Sequence, residues 1–154
     1  MPRQPEGELA EIRAANLYRV ARSSEQTSGL INFASNDYLG MAKSELLRET
    51  FREAAAKFGT GSGASRLIVG THPPHEELEH EIAQFKRTDR ALSFSTGYAA
   101  AVGTLTSVIG KGDVVILDKL CHASLIDGAR LSGATMRVFP HNDLNKLERH
   151  LGWA

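Results

Sequence analysis

An α/β fold, with a mainly parallel sheet and flanking helices, is predicted by three features of this 154-residue sequence. Arg90 to Ile109 runs from an alternating apolar stretch through Ser95-Thr96-Gly97-Tyr98 into an Ala-rich, proline-free segment, the pattern of strand, sharp turn and helix. Asp113-Val-Val-Ile-Leu-Asp118 reads as a short buried strand, and Thr135 to Phe139 as another, with a helix-length segment between them. Strands and helices alternating at this spacing assemble a parallel sheet.

Bulk composition narrows the possibilities. With 42% hydrophobic residues the chain can build one real core, and two comfortable ones would need more residues. Eighteen basic residues balance eighteen acidic ones, interspersed along the chain, which argues against a nucleic acid or anionic membrane partner. A single cysteine, Cys121, rules out an internal disulfide and fits a reducing cytoplasm. No apolar run is long enough to span a bilayer, and the N-terminal residues are too polar for a secretory signal. Cytoplasmic residence is expected.

Taken in order, Glu8 to Arg22 reads as an amphipathic helix with Leu9, Ile12, Leu17 and Val20 on one face. Arg19, seven residues after Ile12, falls near the same face. Its stem can pack while its head reaches water, or its planar fork can receive a carboxylate. A polar loop from Ser23 to Gly29 leads into a short strand, Leu30 to Phe33, which stops at Ala34-Ser-Asn-Asp-Tyr-Leu-Gly40. There Asn36 and Asp37 can bond local backbone and close a turn. Ser44 is placed to cap a helix through Phe58, with Leu47, Phe51 and Ala54/Ala55 on its buried side and Gly59 as its stop.

The run Gly59-Thr-Gly-Ser-Gly-Ala-Ser-Arg66 follows a helix and lacks the Gly-Lys-Ser/Thr ending of a nucleotide loop, so neither nucleotide fingerprint applies. Its glycines imply backbone lying close to a ligand, a second subunit or a neighbouring element, unless the run is a flexible linker. Thr71-His-Pro-Pro74 opens a helix with prolines in its first turn and Leu78, Ile82 and Phe85 as its buried stripe. His72, His75 and His80 offer no i, i+4 pair, so they read as surface or capping groups and no metal is expected.

At the central turn, Gly97 lets the backbone approach a ligand without an intervening Cβ. The helix that follows presents unpaired N–H groups carrying partial positive charge, which suits a phosphate. Many such turns use Ser, Thr and Gly only to cap the helix. Support for a site comes from Lys119-Leu-Cys-His-Ala-Ser124, directly after the next strand. Ligands of open parallel sheets sit beyond the carboxyl ends of the strands, so Gly97 and His122 should share one rim. Further on, a helix from Ser124 to Leu131 closes at Gly133, and Asn142 is placed to cap a helix from Leu144 to Leu151.

Several of these segments, in order and in spacing, resemble one family. Phe33-Ala-Ser-Asn-Asp-Tyr-Leu-Gly40, Gly61-Ser-Gly-Ala-Ser-Arg66, Gly70-Thr-His-Pro-Pro-His75 with Leu78-Glu79, Phe94-Ser-Thr-Gly-Tyr98 and Asp118-Lys-Leu-Cys-His-Ala-Ser-Leu-Ile-Asp-Gly128 are similar to the α-oxoamine synthases. These are pyridoxal-phosphate enzymes of the aminotransferase fold (fold type I). The resemblance runs from about Leu9 to the last residue and covers less than half of a typical member. It implies that residues 1–40 are an N-terminal helix and strand segment, and 41–154 the first part of the large cofactor-binding domain.

By position, the resemblance implies that Gly97 and Tyr98 give backbone contacts to the cofactor phosphate. It implies that His122 stacks on the pyridine ring and helps hold the substrate carboxylate, that Asn36 is an active-site residue, and that Arg19 receives the acyl-chain carboxylate. Cys121 replaces the more usual serine before the histidine and fills similar space. Ser-Asn-Asp-Tyr-Leu-Gly together with Leu131-Ser132 and His141-Asn-Asp143 most resembles the members that condense L-alanine with pimeloyl-CoA, or with pimeloyl acyl carrier protein, releasing CO2 and the free thiol carrier. Members that acetylate glycine are the nearest alternative. A homodimer is implied for the intact enzyme.

Such chemistry needs a Schiff-base lysine and a carboxylate against the pyridinium nitrogen. The six lysines, at 43, 57, 86, 111, 119 and 146, all stand outside the family's lysine motif, and Lys119 is the one nearest the expected cleft. These residues alone are therefore expected neither to hold the cofactor covalently nor to catalyse condensation. A non-catalytic partner subunit is the other expectation such a sequence allows.

Overall fold

The computed structural model describes residues 5–21, 23 and 29–153. They fall into two units, Met1–Gly59 and Thr60–Ala154.

In the first unit, α1 (Pro5–Ala14) ends well short of the expected helix, whose last residue, Arg22, lies outside the described residues. Asn16 adopts φ 55, its N–H donates to the Arg13 carbonyl (3.0 Å) and that of Leu17 to the Ile12 carbonyl (2.9 Å). This pair of bonds is a Schellman stop, which asparagine tolerates because its short polar side chain suits the left-handed region. Leu17, Val20 and Arg19 therefore leave the α1 face and stand exposed on the segment after it. Most of the polar loop from Ser23 to Gly29 lies outside the described residues.

Leu30 to Phe33 forms no strand, because no described residue pairs with it and the Asn32 side chain accepts the Ala34 N–H (2.9 Å) to start a turn. The Ser44 hydroxyl caps α2 (Glu45–Phe58) by accepting the Leu47 N–H, and Gly59, at φ 81, stops it. Leu47 is half-buried on that helix, whereas Phe51 is exposed instead of buried.

In the second unit the glycine-rich run makes its close approach at Gly70. At Gly61 and Gly63 an added Cβ would meet nothing within 4 Å, but at Gly70 it would strike the backbone of Ala64 and Ser65. The turn from Ser65 is tied by N–H donation from Ile68 (3.0 Å) and Gly70 (2.9 Å) to the Ser65 carbonyl. His72, just before α3 (Pro73–Lys86), donates its N–H to His75 Nδ1 (3.1 Å) and its Nε2–H to the Ser62 carbonyl (3.3 Å). Both histidines thus serve the helix start. On α3, Ala83 is buried while Leu78, Ile82 and Phe85 are exposed, so the helix is rotated from the expected stripe toward its Glu79 side.

Arg90 to Phe94 is not in a ladder; the Ser93 N–H, which a strand partner would have taken, donates to Glu79 Oε1 (2.7 Å). After the turn comes α4 (Gly97–Val108), against which the Phe94 ring packs at Gly103. The sheet consists of β1 (Val114–Asp118) and β2 (Thr135–Phe139), parallel and in register from Val114 with Thr135 to Asp118 with Phe139. Between them α5 (Ala123–Ser132) closes at Gly133 (φ 76) and packs on α4. Gly128 allows this approach, since a Cβ there would lie 2.8 Å from Leu105 Cδ1. Leu117 and Ala129 supply the buried apolar side chains of this β1–α5 layer.

Asp143, not Asn142, caps α6 (Leu144–Trp153): its Oδ1 accepts the Lys146 N–H (2.8 Å), while Asn142 takes the left-handed conformation, φ 61, that aims Asp143 at the helix start. The Arg137 guanidinium on β2 covers the Trp153 ring at 4.1 Å. No helix among the described residues is long and apolar enough to cross a membrane.

Candidate functional site

Three of the five expected site residues, Gly97, Tyr98 and His122, belong to the second unit, where they sit at the starts of α4 and α5. The Thr96 hydroxyl caps α4 by accepting the Ala99 N–H (3.0 Å). That leaves the N–H groups of Gly97 and Tyr98 without an acceptor among the described residues, the orphan donors of a helix start. An added Cβ at Gly97 would meet nothing within 4 Å, and its φ is not in the left-handed region. Neither backbone strain nor protein packing requires glycine at Gly97; an anion approaching those N–H groups would.

The Tyr98 hydroxyl donates to Asp127 Oδ2 (3.2 Å), bridging α4 to α5. That bond to a carboxylate pushes the phenol above its ordinary value. Asp127 lies on α5 roughly 7 Å of helix rise beyond His122, so this bridge holds the two helix starts in one region.

His122 is itself the cap of α5. Its Nδ1 accepts the Ser124 N–H (3.2 Å) and lies 2.7 Å from the Ser124 hydroxyl. The ring is exposed, and its Nε2 has no partner among the described residues. Before it, the turn leaving β1 is organised by Asp118. One carboxylate oxygen accepts the Leu120 N–H (2.7 Å) and the other accepts from His141 Nδ1 (3.0 Å), past the end of β2. The Leu120 bond, reinforced by His141, holds the Asp118 carboxyl below its ordinary value. Lys119 donates its N–H to the Phe139 carbonyl (2.8 Å), so the exits of both strands are laced together.

Arg19 and Asn36 belong to the first unit and are described there. Arg19 is exposed after α1 and shares no helix face with Ile12. In the turn of residues 34–40, Asp37 closes the backbone: its carboxylate accepts the Ala42 N–H at 3.3 Å, and the Ser35 hydroxyl accepts the Asp37 N–H at 3.0 Å. Asn36 takes no part in that closure and keeps its amide exposed.

Sequence reasoning missed a polar knot of Arg66, Glu79 and Ser93. Arg66 bonds both oxygens of Glu79, and its Nη1 reaches the Ser93 hydroxyl (3.2 Å), which donates to Glu79 Oε1 (2.8 Å). The available signal was the juxtaposition of Glu79 with Ala83 one turn later, which marks an inward face carrying an acid. The Arg66 fork, aided by Ser93, holds the Glu79 carboxyl at about 2. A cleft lined by Thr71, Glu76, His80, Asp89 and Arg90 opens beside the knot and includes none of the expected site residues.

Because the folded value lies below the ordinary 4.5, Glu79 contributes stability above that pH and loses it as pH falls from about 4.5 through about 2. Glu79→Gln is therefore expected to lower stability at neutral pH. It should also remove one proton's worth of slope from stability against pH across that window. Guanidinium unfolding at stepped pH checks this; an unchanged acid slope would contradict it.

Residues 28–154 match the family model described as aminotransferase class I and II. The 8-amino-7-oxononanoate synthase of Herminiimonas arsenicoxydans is 46% identical over 153 residues, covering 94% of this chain and 39% of that protein. The serine palmitoyltransferase of S. paucimobilis, solved as a variant with a bound PLP–myriocin aldimine, superposes with a TM-score of 0.73 at 38% identity, over 76% of this chain and 30% of that one. The 8-amino-7-oxononanoate synthase of Francisella tularensis superposes at 0.68 with 31% identity, over 79% of this chain and 34% of its own. The chain thus spans about two fifths of the length of the curated relative.

Proposed function

The chain belongs to the aminotransferase class I and II family, and from that premise we propose that it forms the phosphate- and carboxylate-binding part of a pyridoxal-phosphate-dependent C-acyltransferase. The reaction proposed is condensation of L-alanine with pimeloyl-CoA, or its acyl carrier protein thioester, to 8-amino-7-oxononanoate, CO2 and free thiol carrier, in a cytoplasmic homodimer. The observation that carries this reading is the start of α4, where two N–H groups lack acceptors among the described residues beside a glycine whose Cβ side is open.

Pyridoxal phosphate, when bound, supplies an electron sink for chemistry at the α-carbon of the amino acid. The residues of this chain fit it as follows. Gly97 and Tyr98 hold the phosphate by backbone N–H groups, strengthened by the helix dipole. His122 lays a flat ring against the cofactor, limits water there, and offers Nε2–H to the carboxylate of L-alanine. In the first unit, Arg19 has the planar fork suited to the distal carboxylate of the pimeloyl chain, and Asn36 has an exposed amide to offer a substrate. The names of the relatives support 8-amino-7-oxononanoate synthase chemistry over glycine acetylation.

The test is product formation by the complete gene product, with L-alanine and pimeloyl-CoA against glycine and acetyl-CoA. A preference for the second pair would move the chain to the glycine-acetylating group, and turnover of neither would favour a non-catalytic partner. For residues 1–154 taken alone we predict no turnover, and no stoichiometric pyridoxyl-lysine after incubation with pyridoxal phosphate, borohydride reduction and peptide mapping. A specific adduct, for instance at Lys119, would overturn that expectation.

A further inference from the structure

We propose that Ser124 is a positioning residue that locks His122 in a single neutral tautomer, so that Nε2 always carries the proton it presents to an anionic substrate group. The second half of this statement rests on the function proposed above. The first half rests on geometry alone.

A backbone N–H can only donate, so the 3.2 Å bond from the Ser124 N–H requires a lone pair on His122 Nδ1. With that role fixed, the Ser124 hydroxyl at 2.7 Å must donate to the same nitrogen. Neutral imidazole carries one N–H, so the proton is left on Nε2. Ser124 is 4% exposed, and a buried hydroxyl is costly without a partner, so the hydroxyl is held to this bond. Capping α5 and presenting Nε2–H are thus two results of one arrangement: the nitrogen used by the helix dictates the state of the other. A carboxylate accepts from Nε2–H, whereas the opposite tautomer would turn a lone pair toward it and repel it.

The test uses the complete gene product labelled with ¹⁵N-histidine, and ring nitrogen shifts with two-bond couplings read each tautomer. His122→Asn assigns the signal by its loss. Wild type is expected to show Nε2–H with Nδ1–H as a minor fraction. Ser124→Ala keeps the backbone donor but loses the hydroxyl, so the ratio of Nε2–H to Nδ1–H should fall roughly two- to tenfold, the span of one net hydrogen bond. Ser124→Thr should restore it, and Ser124→Cys, a weaker donor of similar size, should fall between and serves if the alanine variant does not fold. A wild-type Nδ1–H majority, or ratios identical across serine, cysteine and alanine, would sink the proposal. In parallel, the KM for L-alanine should rise with the loss of Nε2–H. A shifted tautomer with an unmoved KM would leave Ser124 in control of the ring and overturn the assignment of His122 to the substrate carboxylate.

Discussion

Gly70→Ala is expected to destabilise the second unit by about 3 kcal/mol or more, the upper range for forcing atoms into a filled space. The added Cβ would lie 2.6 Å from the Ala64 carbonyl carbon and 2.9 Å from that of Ser65, and closer still to the Ala64 oxygen. All of these are backbone atoms, so no rotamer change can relieve the clash. The turn from Ser65 to Gly70 must open, which moves Arg66 away from Glu79 and Ser93 and leaves an acid facing inward without its fork. Gly61→Ala is the control, because a Cβ there meets nothing within 4 Å. Thermal and guanidinium unfolding of both variants measure the contrast, and equal stability would show that the loop is not packed as described.

Gly97 is expected to separate stability from ligand binding, with opposite signs. In the cofactor-free protein Gly97→Ala should gain about 0.4–1 kcal/mol, because the unfolded chain loses freedom and the folded chain meets no clash. Gly97→Asp should also be tolerated, since a carboxylate favours a helix start. Both should weaken pyridoxal phosphate binding: alanine by occupying the approach to the N–H groups, aspartate by repulsion as well. A carboxylate at 4 Å from a phosphate dianion costs about 2 kcal/mol even in water-like surroundings, some thirtyfold in affinity, and more where water is excluded. Absorbance titration of the complete gene product with pyridoxal phosphate gives the affinity, and unfolding of the same samples gives the stability. Unchanged affinity in both variants would remove the phosphate from the start of α4.

The elements that sequence patterns located well are those closed by local chemistry. Ser44 and Gly59 delimit α2, and α5 ends at Gly133 as its left-handed glycine demanded; Thr135 to Phe139, a strand with the expected bounds, has its partner β1 only one helix away. Segments that need a distant partner were misread. Leu30 to Phe33 and Arg90 to Phe94 have strand-like alternation, yet a strand exists only in a ladder, and the Ser93 N–H is satisfied by a carboxylate instead. Apolar spacing predicts a longer α1, whereas Asn16 ends it in a left-handed conformation that periodicity does not register. Helix α3 is rotated from the expected stripe because the Arg66 fork makes Glu79 an inward group. At the candidate site, the cap at Thr96 and the open side of Gly97 were legible from residue type. The role of Ser124 was not, since it depends on which ring nitrogen faces the helix.

The short connection between β1 and β2 has a consequence for how the molecule forms. Parallel strands usually meet late, because the intervening chain must be closed before any ladder bond rewards it. Here β1, α5 and β2 lie within one continuous stretch from Val114 to Phe139, with α5 stopped at both ends by its own residues. Only that stretch has to be ordered before Lys119 can bond Phe139, and His141, just beyond it, can reach Asp118. The loop bearing His122 is therefore expected to become protected among the first parts of the second unit, ahead of the glycine turn and α3. Pulsed hydrogen exchange during refolding would show this order in the amides of Leu117, Lys119 and Ser124.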